Sequence, residues 1–443
     1  DFLNSEKTEK PIIVRMFEDD EKKLLRTLYQ TFSPEDFLQI KHIEKKTKHD
    51  IVAMVRWIDY RLSGYEHNIS VEEAIHFART SSDINSNVYA TIIRDIFEKE
   101  YLPSLIMLQK KFIDFAQQYN VVFSGQTHGQ YAEYTTMKKV FANYADALAQ
   151  AMSPFILYDK NDKNTESKLY MTGKLGGAIG NNSDIIGAYP DLDWDSFNKD
   201  FVQNNLGLNF LDMCDQDEFN IKFSEFFDTL TRINDVIIKF SEDFWEYCSR
   251  GVFKKKVTTE ESGSSIMAQK SNPWQLEGGW EYLEDVDFYR YHNLTKYKRQ
   301  GDLRRSIRKR TIGEPFAKIL IAFNRIASEL DLYEPDIDFI NEEAINNISM
   351  SSAYIQTVLK REGIPDAYDI LKKMSMGKAP DLKLYYSFIE TLEADKKIMS
   401  KVAQEIKEGM LPKNNTGYAD MLADRAIGRA KTQLEKLQRL YDI

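Results

Sequence analysis

Glycine, proline and cysteine are all scarce in this chain. Its 443 residues include 20 glycines and 11 prolines, whereas a typical protein has roughly 7% glycine and 5% proline. Because these two residues break helices, their shortage favours long uninterrupted ones. The only cysteines, Cys214 and Cys248, are too few for a disulfide framework or a zinc cluster and favour a reducing compartment.

Long apolar runs and positive charge are also lacking. No stretch approaches the roughly 18 apolar residues of a membrane span, and no signal peptide is recognisable. The net charge of −10 argues against broad nucleic-acid binding. We therefore expect a cytoplasmic protein with neither membrane nor nucleic-acid partners. The chain begins at Asp1 rather than methionine, which leaves open whether residues precede it.

Hydrophobic residues recur at helical spacing along most of the chain. Between Phe226 and Phe244 the apolar positions are separated by steps of four, three, four, three and four, which is typical of a helix packed in a bundle. No run alternates convincingly with period two, so we predict an all-α protein. Similar patterns predict helices over about 85–120, 137–152, 274–297 and 312–332, and a helical tail broken near 363–365 and 377–380.

Two polar strings interrupt these helices and carry residues capable of chemistry. Ser262–Pro273 lies between two predicted helices and contains paired serines, a lysine and a terminal Asn-Pro. By composition alone it is either a solvated connector or a mobile loop that completes a site on closure. The second string, Ser124–Gln130, contains His128; taken alone, a histidine in a turn is more often structural than catalytic.

Two further strings are typical of helix starts. Thr47–Asp50 places a histidine beside an aspartate, and Thr80–Asn85 offers Ser and Asp side chains that cap backbone amides. The N-terminus of a helix also attracts anions. Both strings are therefore candidates for structural or ligand-binding roles.

Together these strings resemble the fumarase/aspartase superfamily, whose members release fumarate from a succinyl-bearing substrate. Ser262–Pro273 resembles the signature loop, with Ala268 where proline is usual. The other strings, in the family's order, resemble the adenylosuccinate lyase family, and the resemblance covers about residues 37–380. The matching positions are Gly263, Ser264, Ser265, Met267, Lys270, Asn272, Pro273, Thr47–Asp50, Thr80–Asn85, Gln126–Gln130, Thr135–Thr136, Gly177–Asn181, Ala188–Pro190 and Ile355–Val358.

The resemblance implies an all-α subunit of three domains around a central long-helix bundle. The domains are expected at residues 1–79, 80–337 and 338–443. It also implies a homotetramer with a multi-helix core, in which three chains build each site for a small-molecule substrate. No cofactor and no metal are implied.

The same resemblance assigns the catalytic roles. Ser264 matches the general base, and Lys270 with loop amides supplies the positive surroundings that a deprotonated serine needs. His128 matches the general acid. Glu277 matches the carboxylate that orients this histidine and raises its basicity; without the resemblance it fits a surface helix charge equally well.

The remaining matched positions are expected to bind substrate. Gln216 matches a glutamine that holds a carboxylate, Asn272 and Lys270 bind the fumarate carboxylates, and His49 contacts the leaving group or phosphate end. His42, His67, His76 and His292 are assigned to surface or core roles. The full substrate-binding set is His49, Asp50, Thr80, Ser81, Thr127, Gln216, Ser265, Met267, Asn272, Ser306 and Arg310.

Departures from the family pattern concentrate on the amine side of the substrate. In the basic segment that grips the nucleotide phosphate, Gly301 replaces an arginine and Arg305 replaces an acid. An N-terminal Arg-Tyr motif is missing from the residues given, Ala353–Tyr354 replaces Glu-Pro, and Tyr131 replaces a proline. Either Arg304, Arg305 or Arg308 substitutes for the lost arginine, or the substrate differs.

The implied function is a lyase that eliminates fumarate from an N-succinyl compound by general base and general acid catalysis. Adenylosuccinate, giving AMP in purine biosynthesis, is the first candidate, together with succinylaminoimidazole carboxamide ribotide. The alternatives are a diverged lyase for another N-substituted succinate and, third, a non-catalytic helical homologue.

Overall fold

A computed structural model describes residues 18–63, 75–158, 166–168, 171–218, 220–256, 267, 271–286, 288, 303–376 and 380–443. Helices predominate among them, which confirms the all-α class. Tertiary contacts divide the chain into a first unit (1–94, 170–224 and 293–309) and a second unit (95–169, 225–292 and 310–443). The domain boundaries expected near residues 79 and 337 stay a prediction.

The described helices, in chain order, are α1 (Asp19–Thr27), α2 (Pro34–Thr47), α3 (Asp50–Leu62), α4 (Ser81–Ile96), α5 (Leu102–Gln118), α6 (Met137–Met152), α7 (Ser183–Ala188), α8 (Trp194–Asp200), α9 (Ile221–Ser249), α10 (Trp274–Glu284), α11 (Leu303–Lys309), α12 (Gly313–Asp331), α13 (Ile337–Asn346), α14 (Ser352–Arg361), α15 (Ala367–Ser375), α16 (Leu382–Ala394), α17 (Ser400–Gly409) and α18 (Ala419–Tyr441). Short strands pair as β1 (Val122–Thr127) with β2 (Gln130–Thr136), β3 (Ile156–Tyr158) with β4 (Glu166–Lys168), β5 (Thr172–Gly173) with β6 (Asn209–Phe210), and β7 (Phe253–Lys255) with β8 (Tyr333–Pro335). Only the β5–β6 pair is parallel among these. No described helix is both long and apolar enough to cross a bilayer.

The first unit begins with helices that have explicit start signals. Ser33 caps α2 and forms a reciprocal capping box with Asp36, and Pro34 occupies the first turn, where its missing N–H costs nothing. Trp57 on α3 and Ile40 on α2 meet in a small buried core. Burying each of these large apolar side chains contributes about 1.5–3 kcal/mol, which fixes α2 against α3.

The second unit contains a bundle of long helices. The predicted seam of α9, from Phe226 to Phe244, is buried at every apolar step. The ring of Phe112 on α5 packs 4.1 Å from that of Phe240. α6 packs against both α5 and α18, while α10 packs against α12. The helical periodicity therefore identified the core-facing stripe correctly.

The tail predicted as helical is helical, and its last helix belongs to the bundle. A separate apolar cluster centred on Ile355 and Tyr385 holds α14 to α17 together. α18 then packs along α6, where Arg429 forms a bidentate ion pair with Asp146 at 2.7–2.9 Å. The hydroxyl of Tyr441, at the end of α18, donates to the Phe155 carbonyl.

Two expectations about local structure were wrong. The string around His128, predicted only as a polar interruption between helices in a chain without strands, is a β-hairpin in which β1 and β2 pair with a register shift between Gly125 and Gln126. The helix that starts at Trp274 ends at Glu284 rather than near 297; Asp285 leaves it and binds Lys318 at 2.6 Å. Within the helix predicted over about 85–120, a π-helical turn over Phe97–Tyr101 joins α4 to α5.

Candidate active site

In the first unit, His49 and Asp50 lie at the start of α3. His49 is the N-cap, and its Nδ1 accepts a hydrogen bond from the Val52 N–H at 3.5 Å. The same nitrogen lies 3.6 Å from Asp50 Oδ1, and the His49 side chain remains 47% exposed. The helix-start role read from the sequence is therefore confirmed, and the imidazole is still accessible to a ligand.

Thr80, the residue before α4 begins at Ser81, is held by a buried carboxylate. The Thr80 N–H donates to Asp83 Oδ2 at 3.0 Å, and Asp83 itself is fully buried. Its Oδ1 accepts from Lys174 Nζ and from the Gly176 N–H, each at 2.9 Å. Thr80, which is expected to contact substrate, is therefore held in place by the buried carboxylate of Asp83.

The Asp83–Lys174 pair is ionic despite its burial. Burial alone would raise the pKa of Asp83, but Lys174 and the backbone N–H donors of Thr80 and Gly176 hold that pKa below its usual 3.8. A buried pair of this kind is strongly destabilised when one partner is removed, because the other charge is left uncompensated. Lys174 is therefore a structural requirement of this site.

The glycines of the string Gly177–Asn181 serve close packing. Gly180 has φ +89°, and a Cβ there would collide with the Cys214 carbonyl oxygen. The Gly177 N–H also donates to Asp83 Oδ2 at 3.1 Å. This loop therefore connects Asp83 with the loop that leads to Gln216.

Gln216 is half-buried in that loop, beside two carboxylates. The next residue, Asp217, accepts a hydrogen bond from Ser86 Oγ at 3.0 Å. Glu218 is buried and accepts from Thr172 Oγ1 at 2.7 Å. Burial raises the pKa of Glu218, while Lys309 and the Thr172 hydroxyl oppose that rise.

His76 also belongs to this environment, although the sequence assigned it to a surface or core role. Its pKa is lowered chiefly by burial, opposed by the negative charge of Asp83 and reinforced by His49. His49, His76 and Asp83 are thus close enough to interact electrostatically. No sequence motif of His76 distinguished it from the other histidines.

In the second unit, His128 stands at the tip of the β1–β2 hairpin. His128 and Gly129 form the two-residue turn with φ +54° and +71°, the signs that a type I′ turn requires. A left-handed conformation is uncommon for a residue other than glycine and is found preferentially at functional sites. Thr127 and His128 are both exposed, and no hydrogen bond of the imidazole is found among the described residues.

A cleft of about 1260 Å³ lies along one side of this hairpin within the second unit. Gln126, Thr127 and Gly129 contribute to its wall, but the His128 side chain does not. The charged side chains in the wall are Lys139, Lys239, Arg250, Glu133, Asp243 and Glu246. Three positive and three negative side chains therefore line this wall.

Glu277 is exposed on the first turn of α10 and accepts a hydrogen bond from Trp245 Nε1 at 2.8 Å. Among the described residues of the second unit, no hydrogen bond joins Glu277 to His128. If sites are shared between chains, the pair would form between subunits. The role of Glu277 in orienting the imidazole stays a prediction.

The remaining site residues are placed only in part. Met267 is exposed and Asn272 half-buried. Ser306 is half-buried on α11, and Arg310 is exposed just after that helix. Ser264, Ser265 and Lys270 lie outside the described residues.

Burial argues against one of the three arginines proposed for the phosphate-gripping segment, which spans residues 296–310. Arg305 was a candidate to replace the missing arginine at 301, but its side chain is 6% exposed and lies 3.4 Å from Asp217. Arg304 is exposed and Arg308 half-buried on the same helix. The sequence shows eight basic residues between Lys296 and Arg310, but it gave no signal of which side chains would be buried.

Solved structures show the class of fold. The chain resembles the crystal structure of 3-carboxy-cis,cis-muconate lactonizing enzyme from Pseudomonas putida, with TM-score 0.71, 14% identity, and coverage of 91% of this chain and 87% of that one. It also resembles fumarate lyase from Mesorhizobium sp. BNC1, with TM-score 0.68, 13% identity, and coverage of 93% and 90%. The chain therefore shares the fold of these two enzymes.

Sequence comparison shows the family. Residues 7–284 match the Lyase family, and residues 297–410 match the adenylosuccinate lyase C-terminal family. Adenylosuccinate lyase from Buchnera aphidicola subsp. Acyrthosiphon pisum is 30% identical over 90% of this chain and 84% of its own length; that from Escherichia coli K12 is 30% identical over 93% and 87%. The chain belongs to the adenylosuccinate lyase family, and it is a C–N lyase.

Proposed function

We propose that this enzyme eliminates fumarate from adenylosuccinate, giving AMP, and acts likewise on succinylaminoimidazole carboxamide ribotide in purine biosynthesis. The observation that carries the proposal is the presentation of His128. The imidazole is exposed at the tip of a tight hairpin, and left-handed residues other than glycine are found preferentially at functional sites. The family relationship gives that imidazole a task.

The reaction requires a base that takes a proton from one carbon and an acid that protonates the nitrogen leaving the neighbouring carbon. Ser264, as alkoxide, removes a proton from the methylene carbon beside one carboxylate, which gives a dianionic aci-carboxylate. The C–N bond then breaks, its electron pair stays on nitrogen, and His128 supplies the proton that completes the amine. Imidazole suits this transfer because it exchanges protons near neutral pH.

Carboxylate recognition is the second requirement. Lys270, Asn272 and Gln216 are proposed to hold the two carboxylates, since fixed positive charge and amide dipoles stabilise the developing dianion by several kcal/mol. The buried anchoring of the Gln216 loop through Asp217 and of Thr80 through Asp83 supports a pre-organised binding surface. Pre-organisation reduces the entropy lost when substrate binds.

We further propose a cytoplasmic homotetramer with shared active sites. Neither His128 nor Glu277 has the other as a partner among the described residues, as expected if they meet across subunits. The cytoplasmic location is supported by the cysteines, because free thiols are typical of a reducing compartment. Cys214 and Cys248 are free thiols, and burial raises the pKa of Cys248 to about 12. Sedimentation equilibrium of the purified protein tests the tetramer, and a monomer with full activity would contradict shared sites.

A second candidate function is supported by the basic segment. Gly301, where the family has an arginine, lacks a side chain, and the Arg305 guanidinium is already bound to Asp217. Neither position therefore offers a guanidinium for binding a phosphate. Another N-substituted succinate would then be the substrate.

The experiment follows fumarate release by ultraviolet absorbance with adenylosuccinate and a panel of non-phosphorylated N-succinyl amines. Turnover of adenylosuccinate with the highest kcat/KM supports the first candidate. Preference for a panel member supports the second. No fumarate from any compound would contradict both.

A further inference from the structure

The basic helix α11 has a buried charged face. Arg305 and Lys309 are four residues apart and therefore lie on one side of the helix; their side chains are only 6% and 4% exposed. Arg304, on the neighbouring face, is exposed. A helix on an acidic chain thus directs two of its cations into the interior of the first unit.

Both buried cations face Asp217, the residue that follows Gln216. Arg305 Nη1 lies 3.4 Å from Asp217 Oδ2, and Lys309 Nζ lies 3.9 Å from Oδ1. Arg305 Nη1 also donates to the Glu218 carbonyl at 3.1 Å. One guanidinium therefore contacts a side chain and a backbone oxygen in the two positions after Gln216.

Ser86 makes a further contact with Asp217, and Phe223 makes one with Lys309. Ser86 Oγ, on α4, donates to its Oδ1 at 3.0 Å. Burial would raise the pKa of Asp217, but Lys309 and Arg305 hold it below its usual value, so the group is a carboxylate. Lys309 Nζ also lies 4.8 Å from the centre of the Phe223 ring, which fixes that side of the helix.

We propose that Arg305 is a positioning residue that sets Gln216 for carboxylate recognition by holding the Asp217–Glu218 segment. The role rests on the proposed function, in which Gln216 contacts a substrate carboxylate. It also explains why an arginine occupies this inward-facing position. Through Arg305, the buried face of α11 supports recognition of the succinyl end of the substrate. The exposed face of α11 remains available to bind the amine end.

The test is a double-mutant cycle between Arg305→Gln and Gln216→Ala, with the fumarate inhibition constant and the KM of adenylosuccinate as readouts. Each single variant should raise the inhibition constant about tenfold, the loss expected for one positioned hydrogen bond. The double variant should resemble Gln216→Ala alone, because Arg305 acts through Gln216. Arg305→Lys, which retains the charge, should recover part of the loss.

The matched control is Arg61→Gln, which removes a guanidinium that pairs with Asp36 at 3.0 Å elsewhere in the first unit. It should leave the fumarate inhibition constant unchanged. Hydrogen exchange supplies a second readout: Arg305→Gln should increase exchange at residues 211–218, and Arg61→Gln should not.

The outcomes separate this inference from the proposed function. Multiplying effects in the double variant, or an unchanged inhibition constant and exchange rate in Arg305→Gln, would overturn the positioning role while the lyase assignment stands. If wild type releases no fumarate from any N-succinyl compound, the proposed function fails and the catalytic part of this role fails with it. Exchange at 211–218 then decides whether Arg305 orders the loop.

Discussion

In the first unit, two predicted substrate contacts, Thr80 and Gln216, lie on segments held by buried charges, whereas in the second unit the predicted proton donor and its carboxylate partner are exposed. Thr80 and Gln216 adjoin the Asp83–Lys174 and Asp217–Arg305 pairs. His128 stands on a hairpin tip and Glu277 on a helix surface. Thr80 and Gln216 are therefore held by buried charges within the first unit, whereas the exposure of His128 and Glu277 fits the proposal that they meet groups from another subunit.

The largest effect is expected on kcat, when His128, the predicted proton donor of the second unit, is replaced. His128→Gln should lower kcat by about 10²–10⁴-fold, because general acid catalysis is lost, with the fold unchanged since the side chain is exposed. Turnover of adenylosuccinate and the thermal midpoint are measured together. His42→Gln, an exposed histidine on α2, is the control; equal activity in both variants would contradict the assignment.

The next largest effect is expected on the free energy of unfolding, when one partner of a buried ion pair in the first unit is removed. Lys174→Met should lower the free energy of unfolding by about 3–5 kcal/mol, since Asp83 would remain buried without its cation. Urea unfolding measures the change. Lys99→Met removes an exposed pair with Asp95 at 2.8 Å and should cost about 0–1 kcal/mol; similar losses in the two variants would show that burial is not decisive.

A smaller effect is expected at Glu277. Glu277→Gln keeps the shape but removes the negative charge, which should lower kcat about tenfold because a neighbouring carboxylate stabilises a protonated imidazole by that factor. Steady-state kinetics of the purified enzyme measure the change in kcat. Glu281→Gln, one turn along the same exposed helix, should have wild-type kcat. A reduction in both would point to a general effect of surface charge.

The smallest effect concerns pH. The pKa of Asp83 is below its usual 3.8 in the folded state, so its ionisation contributes stability above that value, and the contribution is lost as pH falls through the folded pKa. The difference in urea midpoint between wild type and Asp83→Asn should therefore narrow below about pH 4. A difference that stays constant to pH 3 would contradict the low pKa.

Much of the helical framework was accessible from the sequence, since a seam such as Phe226–Phe244 reports a local period. The hairpin was missed because its turn, His128–Gly129, is short and the strands mix polar with aromatic residues; Tyr131, Tyr134 and the threonines of β2 were the available signal. The motifs that resemble the family were recognisable because each is a short local string, and they identified His128 and Glu277 as candidates.

The sequence by itself determined where helices form and which residue types the site contains, because helix periodicity and motif order are local properties. Only the tertiary structure decided that Arg305 turns inward to Asp217, and that Lys174 reaches Asp83 from 91 positions away. Whether a charged side chain is solvated or buried depends on the partner that folding brings to it, since an unpaired charge in the interior costs several kcal/mol.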